Sequence, residues 1–222
     1  MRPGFILERL RRSVFSIRML LVLIIWFFMM DLYLSGYREY VMSLGEKDTI
    51  VILPFLQNGF YFTKTILLGS ICFFSDIPFM QRDEMYCLAR LGRKKWGYSN
   101  LIVIACSGVI LSLFLFLLSV LQVLPVGRLQ NDWGSVFHSF AVWKNDLALG
   151  LEINYAAMYA YTPFQLAVRV LIVDALAFTF LGMLLYTVSL CFSRMAAYAA
   201  AVIVVFLPSI IAKFPQYSLL SY

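Results

Sequence analysis

Long hydrophobic runs alternate with short polar stretches along this chain. About 20 consecutive apolar residues are enough for a helix to cross a bilayer, and five of the runs reach roughly that length. We therefore predict an all-α polytopic membrane protein, a single transmembrane domain over residues 1–222. Its five predicted transmembrane helices cover residues 16–34, 50–74, 101–124, 163–191 and 195–213.

The first 15 residues predict an amphipathic helix that lies along the membrane surface. Glu8 and Arg12, four residues apart, predict an ion pair on its polar side. A signal peptide is the alternative, since a basic start precedes an apolar run, but no small-x-small cleavage site follows and we expect the segment to be retained. The apolar positions recur at helical spacing and share one face: Leu7, Leu10, Val14 and Ile17.

The polar stretch at residues 75–99 is the most charged part of the chain. Pro78 fits the first turn of a helix, and Gly92 is a natural stop signal. We therefore predict a short amphipathic helix from about Pro78 to Leu91. The basic cluster that follows, Arg93 to Lys95, is expected at a membrane boundary with Trp96 as an interface residue.

Residues 125–162 form a second long connection and are predicted to be extracellular. Four apolar side chains in it fall on one helical face and predict a short interfacial helix, part of a lid over the membrane domain: Trp133, Val136, Phe137 and Phe140. Thr162 and Gln165 form a capping-box pattern, and Pro163 lies at the first helical position. This pattern marks the start of the fourth predicted span.

Composition supports the bilayer as the solvent of this chain. It is 62% hydrophobic and 14% charged, whereas a soluble domain is about half apolar and a quarter charged. The net charge of +6 does not indicate nucleic acid as a partner, because the cations flank apolar runs instead of lining one polar face.

The distribution of basic residues predicts the topology. With the N-terminus placed in the cytoplasm, eleven of the 18 basic residues fall on inner segments, five on outer segments and two within spans. Inner loops of membrane proteins carry this excess of Lys and Arg. We therefore expect a cell-membrane protein with a cytoplasmic N-terminus, a cytoplasmic 75–99 loop and an extracellular C-terminus.

Several enzymatic signatures are absent from the sequence. There is no G-x-x-x-x-G-K-[ST] phosphate loop, so the chain is not expected to hydrolyse ATP by itself. It also has no H-E-x-x-H or G-x-S-x-G motif, and its single histidine, His138, lies in a connection and not in a span. We expect neither enzymatic activity nor a bound cofactor or metal in this chain.

Two charged residues within predicted spans form a candidate intramembrane pair. Lys64 and Asp174 lie at similar depths when residues are counted from the starts of their spans. An unpaired charge at membrane depth is expensive, so we predict that they pair across helices. The alternative is that Lys64 extends into a polar interface or cavity without a specific partner. Gln57 and Tyr61 share the Lys64 face of the same span.

The 77–96 stretch resembles a known family linker. It combines Ile77-Pro78-Phe79, then Arg82-Asp83-Glu84, then Tyr86, and finally Leu91-Gly92-Arg93-Lys94-Lys95-Trp96. Together with the order of spans, it is similar to the permease subunits of ATP-binding-cassette exporters of the second export type, which include the ABCG-like fold. The resemblance implies a coupling helix that seats in an ATPase subunit through Asp83, Glu84, Tyr86 and Arg90.

The resemblance also implies partners and a function. ATP and Mg would be bound by a separate ATPase subunit, and a second permease subunit, identical or related, would complete the membrane domain. Family members have six spans, whereas five are predicted here. Two other functions stay open: a structural or assembly subunit of a larger membrane complex, and an ion-coupled carrier that uses Lys64 and Asp174.

Overall fold

A computed structural model describes residues 3–45, 47–75, 92–142, 153 and 155–213. The described part is almost entirely helical, with one pair of two-residue strands. Its elements, in chain order, are α1 (Pro3–Val14), α2 (Ile17–Leu44), β1 (Asp48–Thr49), α3 (Leu53–Leu56), α4 (Phe60–Phe73), α5 (Arg93–Val123), β2 (Gly127–Arg128), α6 (Ser135–Val142), α7 (Tyr155–Ala160), α8 (Pro163–Cys191) and α9 (Arg194–Lys213).

Four of these helices, α2, α5, α8 and α9, are long and apolar enough to cross a membrane. This supports a membrane-embedded helical protein. The second predicted span, 50–74, is not one helix, because a turn at Gln57–Gly59 separates α3 from α4. The 14 residues of α4 are about 21 Å long, less than the roughly 30 Å of a hydrocarbon core. The count of five spans therefore stays a prediction.

Two helix boundaries differ from those read from hydropathy. Helix α2 continues ten residues past Leu34 and ends at Gly45, whose φ of 66° gives the left-handed cap that glycine adopts without strain. Helix α5 begins at Arg93 and not at Leu101. Hydropathy marks the lipid-facing part of a helix, whereas both helices continue beyond it. In contrast, α8 matches its predicted span, with Pro163 at its start.

Helices α5 and α8 share the most extensive contact of the bundle. Their backbones approach closely at two glycines: a Cβ added at Gly108 would overlap Thr179, and one added at Gly182 would lie 2.7 Å from Ile104 Cγ2. Small residues at such crossings are typical of membrane helix pairs. Helix α9 lies against α8 and α4, and α2 lies against α4 and α5.

The two ends of the bundle are built differently. At one end, called the α1 end, α1 lies against the start of α5, and the 76–91 segment is attached at Ser75 and Gly92. The opposite end carries the parallel pair of β1 and β2, with Asp48 beside Gly127. There the aromatic rings of Phe55, Trp133 and Phe137 lie with centroids 5.3 to 5.6 Å apart, so the 125–142 stretch covers α3.

Candidate functional site

The predicted coupling helix, residues 78–91, lies outside the described residues. This includes all four side chains predicted to contact an ATPase subunit: Asp83, Glu84, Tyr86 and Arg90. The structure does describe the residues on either side of the segment. These flanking residues show which helices the segment is joined to.

Ser75, directly before the segment, is bonded to two other helices. Its hydroxyl oxygen accepts a hydrogen bond from the Arg18 guanidinium at the start of α2. Its carbonyl oxygen accepts one from the Tyr198 hydroxyl of α9, at 3.0 Å. The end of α4 is thereby connected to α2 and α9 at one residue.

Gly92, directly after the segment, has a φ of 77° and immediately precedes α5. Glycine adopts a positive φ without strain. The predicted helix that Gly92 would end lies outside the described residues, so the predicted stop stays a prediction. Two turns into α5, the Asn100 side-chain oxygen accepts a hydrogen bond from Arg9 of α1. The start of α5 is thus attached to the amphipathic helix, which also carries the predicted Glu8–Arg12 pair at 2.6 Å.

The predicted Lys64–Asp174 pair is wrong in this conformation, because each side chain has another partner. The Lys64 ammonium donates to the backbone carbonyl of Val205 in α9. It also lies 5.5 and 5.6 Å from the ring centroids of Phe60 and Phe206, within the range of cation–π attraction. Lys64 therefore connects α4 to α9.

The Val205 carbonyl lies three residues before Pro208, inside the continuous helix α9. Proline has no backbone N–H, and its ring pushes against the carbonyl of the preceding turn, so helical hydrogen bonding is weakened there. The Lys64 ammonium therefore donates to a carbonyl in the turn of α9 that precedes Pro208. The alternative for Lys64, extension into a polar interface or cavity without a specific partner, differs from this contact, because the Val205 carbonyl is a specific partner.

Asp174 is 8% exposed in the middle of α8. One of its carboxylate oxygens accepts a hydrogen bond from the Gln57 amide, at 2.7 Å. Gln57 lies in the turn that interrupts the second predicted span, and its carbonyl accepts from the Thr63 hydroxyl at 2.5 Å. Irregular backbone at membrane depth is tolerated where protein covers it, and Leu53 to Leu56 are buried.

The broken helix explains why depth counting chose the wrong partner. The prediction assumed one continuous helix from Ile50, which placed Lys64 level with Asp174. Because the chain turns at Gln57–Gly59, Gln57 is the residue level with Asp174, and Lys64 lies further along α4. The sequence did place Gln57, the observed partner of Asp174, on the same helical face as Lys64. Helical periodicity alone does not show which of the two residues bonds to Asp174.

Two double-mutant cycles should separate these contacts. We expect Lys64→Ala and Asp174→Ala to add within about 0.5 kcal/mol, because the residues share no partner. Gln57→Ala and Asp174→Ala should show coupling of about 0.5–1.5 kcal/mol, the range of hydrogen bonds between membrane helices. Unfolding of the purified chain in mixed micelles measures both cycles. If Lys64 showed a larger coupling energy with Asp174 than Gln57 does, the result would favour the predicted Lys64–Asp174 pair.

A buried carboxylate that the sequence did not single out lies at the opposite end of the bundle. Asp48 is 1% exposed. Its oxygens accept hydrogen bonds from the backbone N–H groups of Thr49, at 2.8 Å, and Phe137, at 2.9 Å. Gly134 contributes a third backbone donor. Asp48 therefore caps the first turn of α6 from 86 or more residues away in sequence, and no local pattern could have indicated it.

Burial raises the pKa of the Asp48 carboxyl, and its hydrogen bonds with the backbone of Thr49, Phe137 and Gly134 offset part of that rise. The Tyr37 side chain also faces this carboxylate. Carboxylates favour helix N-termini, where free N–H groups point outward. The arrangement is a structural connection between β1, α2 and α6, and it holds the 125–142 stretch over α3.

A second connection at this end joins α2 to α5. The Arg38 guanidinium forms an ion pair with Asp31 and donates to Gln122 Oε1 at 2.9 Å. The Gln122 amide in turn donates to the Phe27 carbonyl at 3.1 Å. Arg38 lies in the part of α2 beyond its predicted end, and its bond to Gln122 holds that part against α5.

No protein-family model, curated protein or solved structure matches this chain.

Proposed function

We propose that this chain is the permease subunit of an ATP-driven exporter of the ATP-binding-cassette class. A separate ATPase subunit would bind ATP and Mg, and a second permease subunit, identical or related, would complete the pathway. The proposal rests on the resemblance of the 77–96 sequence and on the order of the helices. It places the chain in the cell membrane with the α1 end in the cytoplasm.

The observation that carries the proposal is the anchoring of the 76–91 segment on both sides. Ser75 is hydrogen-bonded to α2 and α9, and the start of α5 is hydrogen-bonded to α1. A partner that displaced the segment would pull on the ends of α4 and α5, and the hydrogen bonds at Ser75 and Asn100 would pass this movement to α2, α9 and α1. This is the mechanical requirement for a subunit that has no phosphate loop of its own and is moved by a separate ATPase.

Charge reversal at Glu84 tests the proposal. We expect Glu84→Lys to lower recovery of a P-loop ATPase from native membranes at least ten-fold, since loss of about 1.4 kcal/mol of contact energy is ten-fold in affinity. Affinity purification of the tagged chain, with azido-ATP photolabelling and mass spectrometry, measures the recovery. Membrane insertion should be unchanged.

Glu39→Lys is the matched control for this experiment. Glu39 is an exposed glutamate on α2, towards the opposite end of the bundle, so the same charge reversal there should leave ATPase recovery unchanged. Equal recovery with wild type and Glu84→Lys would contradict the assigned contact. Absence of any ATPase with the wild-type chain would contradict the proposed function itself.

An ion-coupled carrier is the second candidate, favoured by one observation. Asp174 is a buried carboxylate beside a helix break, and within the described residues its side chain bonds an amide and no cation. Intramembrane carboxylates beside broken helices occur at ion sites of secondary transporters. Transport by the purified chain alone, driven by a proton or sodium gradient, would favour this candidate over the exporter subunit.

A further inference from the structure

We infer that Lys64, where α4 meets α9, binds the charged group of an amphipathic organic anion, such as the carboxylate of a fatty acid. This site goes beyond the proposed function and does not depend on an ATPase partner. The inference rests on three observations: the depth of the Lys64 side chain in the bundle, the absence of a carboxylate beside it within the described residues, and exposed aromatic rings next to it.

Lys64 lies about halfway across the hydrocarbon core. It comes eleven residues before Ser75, so about 16 Å of helix separates the two residues. Ser75 marks the membrane boundary, because the Arg18 guanidinium bonds to it at the start of α2. The hydrocarbon core is about 30 Å thick. A charged side chain at this depth is expensive, and such residues usually belong to functional sites.

The contacts of Lys64 do not neutralise its positive charge. The ammonium has three donors, and the Val205 carbonyl accepts from it. The ion pairs within the described residues do not include Lys64, and the buried Asp174 carboxylate bonds to Gln57 instead. A carbonyl oxygen and aromatic rings carry only partial negative charge. An anion is therefore the partner that would balance the ammonium, through charge-assisted hydrogen bonds to its remaining donors.

Aromatic side chains beside the ammonium indicate that the anion also has an apolar part. The rings of Phe60 and Phe206 lie 5.5 and 5.6 Å from the Lys64 Nζ. Phe60 is 51% exposed and Tyr61 is 71% exposed, and Lys64 itself is only half-buried. A ligand can therefore reach the site along the outer surface of α4 and lay an apolar chain over these rings.

The depth and the rings exclude two simpler anions as the best match. A phospholipid phosphate is held at the membrane surface, about 16 Å from Lys64 along α4. A chloride ion would give up its hydration without gaining apolar contacts, and it would leave the exposed rings uncovered. An amphipathic organic anion satisfies both the charge and the apolar surface.

A photoreactive fatty acid can measure this site in the full chain. The purified protein in phosphatidylcholine nanodiscs would be irradiated with palmitate that carries a diazirine in its chain, and mass spectrometry would quantify the labelled peptides. We expect saturable labelling of α4 and α9. Unlabelled palmitate should compete with the probe, whereas hexadecanol, which has the same chain without the charge, should not.

Two substitutions at Lys64 test the role of its charge. Lys64→Gln keeps a polar side chain without the charge and should raise the concentration for half-maximal labelling about ten-fold or more, as expected for loss of a hydrogen bond between charged groups. Lys64→Arg keeps the charge and should stay within about three-fold of wild type. The comparison of palmitate with hexadecanol uses the wild-type chain alone, so it tests the site even if a variant does not fold.

Arg169→Gln is the matched control, because Arg169 is the other basic residue within the predicted spans. It is exposed on α8, and its guanidinium lies 4.0 Å from the centroid of the Tyr161 ring. Its removal should change labelling of α4 and α9 less than about two-fold, as expected for an independent site.

Three results would overturn the inference. Equal competition by palmitate and hexadecanol would make the site purely apolar. An equal effect of Lys64→Gln and Arg169→Gln would assign the labelling to general attraction by cations. Displacement of the probe by millimolar chloride, or by phosphatidylglycerol added to the nanodiscs, would assign the site to an inorganic anion or to a phospholipid. None of these results concerns ATPase recovery, so failure here is distinct from failure of the proposed function.

Discussion

Replacing Gly134 by alanine should release the 125–142 stretch from the membrane helices. A Cβ at this position would overlap Asp48 Oδ1 and lie 2.8 Å from Asp48 Cγ and 3.3 Å from its Cα. The carboxylate cannot turn away without leaving the buried N–H groups of Thr49 and Phe137 unsatisfied. We expect a loss of about 2–3 kcal/mol, the usual cost of overpacking or of an unsatisfied buried group.

Trypsin cleavage after Arg128 measures this release. Arg128 is exposed but belongs to β2, which pairs with β1, and a protease cuts such a strand mainly when it opens. When opening is fast, the cleavage rate follows the population of the open form. A loss of 2 kcal/mol should therefore speed cleavage about 30-fold, which mass spectrometry of the fragments can follow.

Two variants complete the test of the Asp48 connection. Asp48→Asn keeps the shape of the side chain but replaces one acceptor by a donor, and it should also accelerate cleavage. Ser135→Ala changes the exposed residue next to Gly134 and should stay within about 0.5 kcal/mol of wild type. If Gly134→Ala behaves like Ser135→Ala, Asp48 does not hold this stretch.

Much of the helical framework could be predicted because its signals are local. The capping pattern before Pro163 and the apolar run that follows define α8, and α9 was predicted within one residue at its start. The amphipathic spacing near the N-terminus likewise predicted α1. These features depend on residues three or four positions apart, which a sequence displays directly.

The break between α3 and α4 could not be predicted in the same way. Gln57-Asn58-Gly59 is a short polar interruption in an apolar run. When hydropathy is averaged over a window of about 20 residues, such a run still looks continuous. The turn is stabilised by the Gln57–Asp174 hydrogen bond across 117 positions. The Asp48 contact with Phe137 is similarly non-local, at 89 positions. Partners at such distances follow from the fold and not from spacing.

Gly108→Ala should weaken the contact between α5 and α8, the largest in the bundle. The added Cβ would overlap Thr179 Oγ1 and lie 3.0 Å from the Thr179 backbone nitrogen and 3.3 Å from the Ala175 carbonyl. Backbone atoms cannot rotate away as a side-chain end can. The helices must therefore separate, which removes the close packing that drives helix association in lipid.

We expect Gly108→Ala to cost about 1–3 kcal/mol, although alanine in a helix interior is intrinsically better than glycine by about 0.5–1 kcal/mol. Gly97→Ala is the control in the same helix. Its Cβ would meet only the Tyr186 hydroxyl at 3.7 Å, an ordinary contact, so this variant should be neutral or slightly more stable. Thermal unfolding of both proteins in the same detergent gives the comparison.

The stability of Gly108→Ala also tests whether the 76–91 segment is mechanically coupled to the Asp174 carboxylate. Helix α5 begins at Arg93, one residue after the 76–91 segment is joined to Gly92, and a Cβ at Gly108 would lie 3.3 Å from the Ala175 carbonyl of α8, next to Asp174. Tight packing at this crossing connects a movement of α5 to the buried carboxylate and the Gln57 turn. If Gly108→Ala proved as stable as Gly97→Ala, α5 and α8 would not be closely coupled there, and the segment would have to act through α2 and α9 instead.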